Sequence, residues 1–471
     1  MKRLGPILTV LALAASACGT STPPAPTAPM ESVGASGGPS TSSGASPAGT
    51  IPQPAGTIPQ PAAPDGLALA PEADRVDLAM PTFTHPTDIT NPLFPVSSQE
   101  SVLLLGTVDD AAFRTEVTLL PTPRIIEWEG QLVATLVSQY VAFLDDRLHE
   151  VAYDFYAQAD DGSVWYFGED VFNFADGTIV DTHGTWIAGT DGPAAMIMPA
   201  DPQVGDVYRP ENIPGFVFEE VTVKAIDATP DGPLGPVASG LLIEELHQDG
   251  ATEEKTFAPG YGEFYTAADG EVEALALAVP MDGASGDVPP ELQTMTRATQ
   301  DALSAAMAAD WDAASTAAGD LEDAWDALRS DDVPVLIKPL IDDALVSLRS
   351  AGDDQDAAAA GQAAIDTARM ALDLQLRHRP ASEIDLARFD LWLAQTELDA
   401  AAEDAALVNG DFFALDYVRD RILRVLEPGD LANINLALEE LLSAVQDEDY
   451  GAVTEIATGM RETVAALMST P

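Results

Sequence analysis

Residues 153–170 read Tyr-Asp-Phe-Tyr-Ala-Gln-Ala-Asp-Asp-Gly-Ser-Val-Trp-Tyr-Phe-Gly-Glu-Asp. Two aromatic runs flank Asp160-Asp161-Gly162-Ser163, a turn in which glycine supplies the positive φ, so the segment reads as a β-hairpin. A second hairpin follows at 172–180, turning at Asp176-Gly177. Working outward, β-branched and aromatic stretches at 102–107, 113–120, 132–144, 216–226, 241–247 and 263–266 read as further strands. Short strands, frequent turns and no helical period between them predict an antiparallel β-sandwich or open β-barrel over 81–280. Such a sheet buries one face and offers the other to water or ligand. Tyr153, Phe155, Trp165 and Phe167 are the aromatic positions expected to face a ligand, in whichever phase points inward.

Downstream the texture changes. A Gly/Asp/Ser linker at 281–289 leads into an Ala-, Leu- and Asp-rich region, 290–471, with a helical period. Eight helices are expected, near 290–308, 311–329, 335–350, 354–378, 383–407, 411–426, 431–446 and 450–467. Acidic residues precede an aromatic or polar residue and alanine at Asp310-Trp311, Asp354-Gln355, Asp411-Phe412 and Asp449-Tyr450, where Asp suits a helix N-cap. Ser382 with Asp385 resembles a capping box. The predicted fold class is therefore α+β multidomain, a β domain followed by an all-α bundle of helical hairpins.

Upstream, residues 1–17 read as a secretory signal, with Lys2 and Arg3, an apolar stretch from Ile7, and Ala15-Ser16-Ala17 before Cys18. Cys18 is the single cysteine of the chain, which excludes an intramolecular disulfide and a cysteine-based cluster. Small residues followed by cysteine resemble the bacterial lipoprotein signal, and that resemblance implies a lipidated Cys18 tethering the chain to a membrane. Residues 18–80, rich in Pro, Ser, Gly and Ala, are expected to be a disordered spacer.

The β region also resembles an uncharacterised family of secreted bacterial β-domain proteins. The resemblance rests on Asn91-Pro-Leu-Phe-Pro95, Tyr156-Ala-Gln158, Val164-Trp-Tyr-Phe-Gly-Glu-Asp170, Gly184-Thr-Trp186, Met198-Pro-Ala-Asp-Pro202, Gly205-Asp206 with Tyr208-Arg209, and Phe257-Ala-Pro-Gly260 with Gly262. It departs at Val102-Leu-Leu-Leu105, where the family carries an aromatic pair. It implies secretion and a β domain, and no activity.

The 471 residues carry 21 Lys plus Arg against 77 Asp plus Glu, a formal charge of −56. No basic stripe exists to displace counterions from phosphates, which excludes nucleic acid, and the same sign excludes polybasic binding to anionic lipid. The net is −2 over 1–80, −28 over 81–280 and −26 over 281–471, so both folded regions are acidic and a solvated surface is the expected home of the charge. Four histidines fall in the β region, His85, His149, His183 and His247, none at metal-ligand spacing, and His149-Glu150 lacks the second histidine of a zinc-protease helix. Nucleophile elbows and phosphate loops are absent from the sequence. Asp160, Asp161, Glu169 and Asp170 are candidates for a hard cation such as calcium. Arg377, His378 and Arg379, concentrated before Pro380, are candidates for an anion or metal site.

These features predict an exported, non-enzymatic lipoprotein held by Cys18 on the outer face of a bacterial membrane, with no cofactor. The β domain is expected to bind an apolar or glycan-like ligand. The alternatives are an envelope scaffold docking a protein partner on the helical region, an envelope hydrolase, or a protein that binds a divalent cation.

Overall fold

The computed structural model describes residues 56–64, 66–108, 110–268, 271–278, 287–329 and 333–469. The signal segment, Cys18, the first part of the spacer and most of the linker lie outside them. The described chain is α+β, an antiparallel β region followed by helices.

Among the described residues the strands are, in chain order, β1 (Ser101–Val108), β2 (Ala111–Leu119), β3 (Arg124–Trp128), β4 (Gln131–Leu144), β5 (Arg147–Gln158), β6 (Val164–Ala175), β7 (Thr178–Asp181), β8 (Trp186–Ile187), β9 (Ala195–Met198), β10 (Val207–Ile213), β11 (Val217–Ala228), β12 (Asp231–Gly232), β13 (Gly235–Pro236), β14 (Gly240–His247), β15 (Thr252–Ala258), β16 (Gly262–Ala268) and β17 (Glu271–Ala278). One continuous sheet runs β10-β11-β14-β15-β16-β17-β1-β2-β4-β5-β6-β7. The first half of β6 also pairs with β9, and β9 lies alongside β10 at the other end of the path. The sheet therefore curls back on itself as a barrel, which removes its long exposed edges. The 153–170 hairpin is the β5–β6 pair, and the expected second hairpin is the far end of β6 with β7.

Residues 56–80, expected in the spacer, are laid against the barrel instead. Ile58 is buried, Ala70 N–H donates to Glu220 Oε1 at 2.7 Å, and Arg209 N–H donates to Asp77 Oδ2 at 3.0 Å. Arg75 bridges β10 through its backbone. One apolar side chain and one buried carboxylate are enough to seat an otherwise polar segment on a sheet edge.

The helices are α1 (Pro290–Met307), α2 (Trp311–Leu328), α3 (Ile337–Asp354), α4 (Ala357–Gln375), α5 (Ala381–Ala401), α6 (Ala405–Ile422), α7 (Pro428–Gln446) and α8 (Tyr450–Met468). Asp310 and Asp449 accept the N-terminal N–H of Ala313 and Ala452 as the recurrence leads one to expect, whereas Asp354 ends α3 and Asp356, two residues on, caps α4 through Ala359 N–H. At Asp411 it fails. α6 begins a full two turns earlier, capped by Asp404, and Asp411 is buried mid-helix at 3.5 Å from Arg147. Ser382 makes no capping bond either, since α5 starts behind Pro380. α1–α4 enclose one core around Leu321, Trp325 and Ile341, and α5–α8 enclose another around Phe389, Leu441 and Val453. Alanines such as Ala298 and Ala302 let the helices approach closely where aromatics are scarce.

Both helical cores continue into the barrel wall. Leu103 and Leu105 of β1 belong to the first, and Val141, Phe143, Leu148 and Phe174 to the second. Phe143 stacks on Trp392 with ring centroids 5.7 Å apart. Between these patches lies a buried polar network. Arg114 binds Asp373 and Glu116, Arg388 reaches Asp373 at 3.0 Å, and Arg421 joins Glu116 Oε2 at 2.5 Å and Gln139 Oε1 at 2.6 Å. The barrel wall is thus covered outside as well as inside, and strands such as β4 are buried on both faces along much of their length.

Candidate functional site

Which residues of β6 look inward beyond its midpoint is set by one glycine. Along β6, Tyr166 pairs with Tyr156, but Glu169 rather than Gly168 pairs with Asp154. One extra residue on β6 is a β-bulge, and Gly168 adopts φ +107° there. A Cβ at Gly168 would stand 2.0 Å from Trp186 O, so only glycine fits. The bulge reverses the phase of the strand. Tyr166 and Glu169 turn inward, whereas strict alternation from Tyr166 would have pointed Asp170 inward. Gly168→Ala is expected to destabilise the protein by about 2 kcal/mol or more. A denaturant midpoint unchanged from wild type would sink this reading of the bulge.

The barrel encloses a cavity of about 130 Å³. Its apolar side is formed by Phe94, Val102, Leu104, Val117, Ile243 and Phe257. Its polar side carries Asp154, Glu245, Lys255 and Glu263, with the hydroxyls of Tyr156 and Tyr208. Lys255 Nζ meets Glu245 Oε2 at 2.5 Å, Tyr166 donates to Asp154 Oδ1 at 2.8 Å, and Thr266 donates to Glu263 Oε1 at 2.6 Å. The Tyr208 hydroxyl is buried without a hydrogen-bond partner. Further round the interior, Glu211 accepts from Trp186 Nε1 at 3.0 Å, and both oxygens of fully buried Glu169 lack hydrogen-bond partners.

Burial dominates the titration of these carboxyls. It pushes Glu150 up to about 8 and Asp154 and Glu263 up to about 7, the first reinforced by the charge of Asp154. Glu169 and Glu211 are held well above the usual carboxylate range by burial, then by the charges of Glu211 and Glu219 respectively. Much of the interior is therefore lined by neutral carboxylic acids, which donate as well as accept hydrogen bonds. Lys255 is the exception-maker: although burial penalises its charge, Glu245 and Glu253 hold it protonated.

The aromatic residues expected to face a ligand point the other way. Trp165 and Phe167 pack against Trp128, Phe155 lies under the Arg124 guanidinium at 4.3 Å, and the Tyr153 hydroxyl donates to Asp420 of α6 at 3.0 Å. They belong to the outer face, which the β3–β4 hairpin and the helices cover. Nor do the four acidic candidates meet. Asp160 accepts from Thr82 and Thr84, Asp161 from Ser163, Asp170 pairs with Arg124 at 2.6 Å, and Glu169 lies inside the barrel. Thus the proposed calcium grouping dissolves into loop anchors and an outer ion pair. At the α4–α5 corner Arg379 binds Glu383 and Gln375, while Arg388 and Arg421 claim Asp385. His378 is kept below its ordinary value by burial and the charge of Arg377, which does not suit an anion-binding imidazolium.

Missed from the sequence were Asp154, Glu219, Glu245, Lys255 and Glu263. Each is a polar residue on a strand whose register, not whose spacing in the chain, brings it inside. No family model, curated protein or solved structure matches the chain.

Proposed function

We propose that this chain is an exported lipoprotein, tethered through Cys18, whose barrel holds a small amphipathic ligand without transforming it. The cavity carries the reading. At about 130 Å³ it approaches the roughly 150 Å³ space that accepts a single benzene ring. The ligand is accordingly no larger than a single six-membered carbon ring, or is the end of a longer molecule. One wall is apolar, whereas Asp154, Lys255, Glu263 and the Tyr208 hydroxyl converge on the other. A purely apolar guest would leave the buried Tyr208 hydroxyl unanswered, at a cost of about 1–3 kcal/mol, so a guest with hydroxyl or amine groups is favoured. Glycan-like chemistry satisfies both walls.

The reading is tested by native mass spectrometry of purified protein, followed by solvent extraction and identification of what is released. Val117→Phe projects a ring into the cavity and is expected to abolish the bound mass with melting temperature unchanged or higher. Wild-type protein that never retains or takes up a small molecule, or the end of a longer one, would count decisively against carriage.

A further inference from the structure

At one end of the barrel interior, strand register assembles a group the sequence keeps apart. Glu219 of β11 lies directly across from His247 of β14, and Glu245, two residues before His247 on the same face, lies across from Glu253 of β15. Ligand atoms of Glu219, Glu245 and His247 all fall within 4.8 Å of one another. His247 Nδ1 stands 3.2 Å from Glu219 Oε1, and its Nε2 stands 3.4 Å from Glu253 Oε2. Glu219 is 2% exposed, and its Oε2 has no hydrogen-bond partner, nor does Glu253 Oε1. His247 is the one partly exposed member, so the cluster reaches solvent through it.

We propose that Glu219, Glu245 and His247 bind a first-row divalent cation, zinc foremost, with Glu253 orienting the imidazole from its other nitrogen. One nitrogen and two carboxylate oxygens are a donor set that zinc accepts, and three protein ligands leave a position open. A carboxylate on the second imidazole nitrogen fixes the tautomer, as metal-bound histidines require. Lys255 occupies Glu245 Oε2, so Glu245 binds through its other oxygen. Because Glu245 also lines the cavity, the ion and the lumen ligand would share a wall.

The test uses the full chain, stripped with chelator and titrated with zinc chloride against a chromogenic zinc chelator. One equivalent is expected to bind, with X-ray absorption showing a nitrogen and oxygen shell. His247→Ala is expected to weaken binding by about a hundredfold, while His85→Ala, on an exposed loop, leaves it unchanged. Should His247→Ala fold poorly, anomalous scattering at the zinc edge from wild-type crystals places the ion directly. Absence of saturable binding at millimolar zinc would overturn the proposal. So would a sulfur-containing shell, which assigns the ion to Cys18, or an anomalous peak away from Glu219 and His247.

Discussion

Glu116→Ala is expected to cost about 3–5 kcal/mol of stability, which is most of what a folded domain has to lose. Glu116 lies on the outer face of β2, buried between Arg114 at 2.6 Å, Arg421 at 2.5 Å and Arg388 at 3.6 Å. Without it three guanidinium groups remain in a water-poor interface with only Asp373 and Asp385 to answer them. The uncompensated cation, rather than any lost contact, drives the expected loss. Because the network joins the barrel to α4, α5 and α6, the helices should become more susceptible to proteolysis before the barrel does. Replacing Glu116 by Leu together with Arg421 by Met removes one charge of each sign and should recover a large part of the loss. Chemical denaturation of the single and double variants checks both statements, and a single-variant loss below about 1 kcal/mol would refute the account.

Stability should be greatest in mildly acidic buffer and fall toward pH 8. Glu150 titrates near 8 and Asp154 and Glu263 near 7 in the fold, against ordinary carboxylate values near 4 in the unfolded chain. Their folded values are raised, so their contribution is complete below the unfolded value and is lost as pH rises through the folded one. Between those limits the unfolded chain has released protons that the barrel still holds. Each such carboxyl then costs about 1.4 kcal/mol for every pH unit climbed. Glu116 and Glu245 act oppositely, because arginines hold the first and Lys255 the second below the usual range despite burial, and their contribution is lost in stronger acid. The resulting maximum lies near pH 4–5, where the unfolded carboxyls begin to ionise. Denaturant midpoints measured from pH 4 to 9 with chelator present will test this, and Glu150→Gln with Glu263→Gln should flatten the alkaline limb. A midpoint that rises from pH 6 to 8 would contradict it.

Much of the architecture was legible in the chain. The Asp160–Ser163 turn marks the β5–β6 hairpin, alanine-rich periodicity marks the helices, and Asp310 and Asp449 mark two of their starts, because propensity and capping are local effects. The strands that escaped reading escaped for a reason. β10 carries Pro210, and β15 reads Thr-Glu-Glu-Lys-Thr-Phe-Ala, so neither shows an apolar alternation. Several of their polar residues, Glu211, Glu253 and Lys255, are buried rather than facing water. The charge reads differently for the same reason: part of the −28 over 81–280 is not on the surface but inside the barrel, at Glu150, Asp154, Glu169, Glu211 and Glu245.

By itself, then, the sequence determined where many of the strands and most of the helices lie, that they fall into two acidic regions, and that aromatic residues concentrate in one hairpin. Only the tertiary structure decided which side of that hairpin is the inside. Alternation has a period of two and no sign, and a wall covered by helices outside and packed within is buried on both faces, so hydrophobicity could not choose. Closure of the barrel chose, and beyond Gly168 a one-residue bulge turned Glu169 inward in place of Asp170. Register did the rest, setting Glu219 opposite His247 across a ladder that no spacing in the chain reveals.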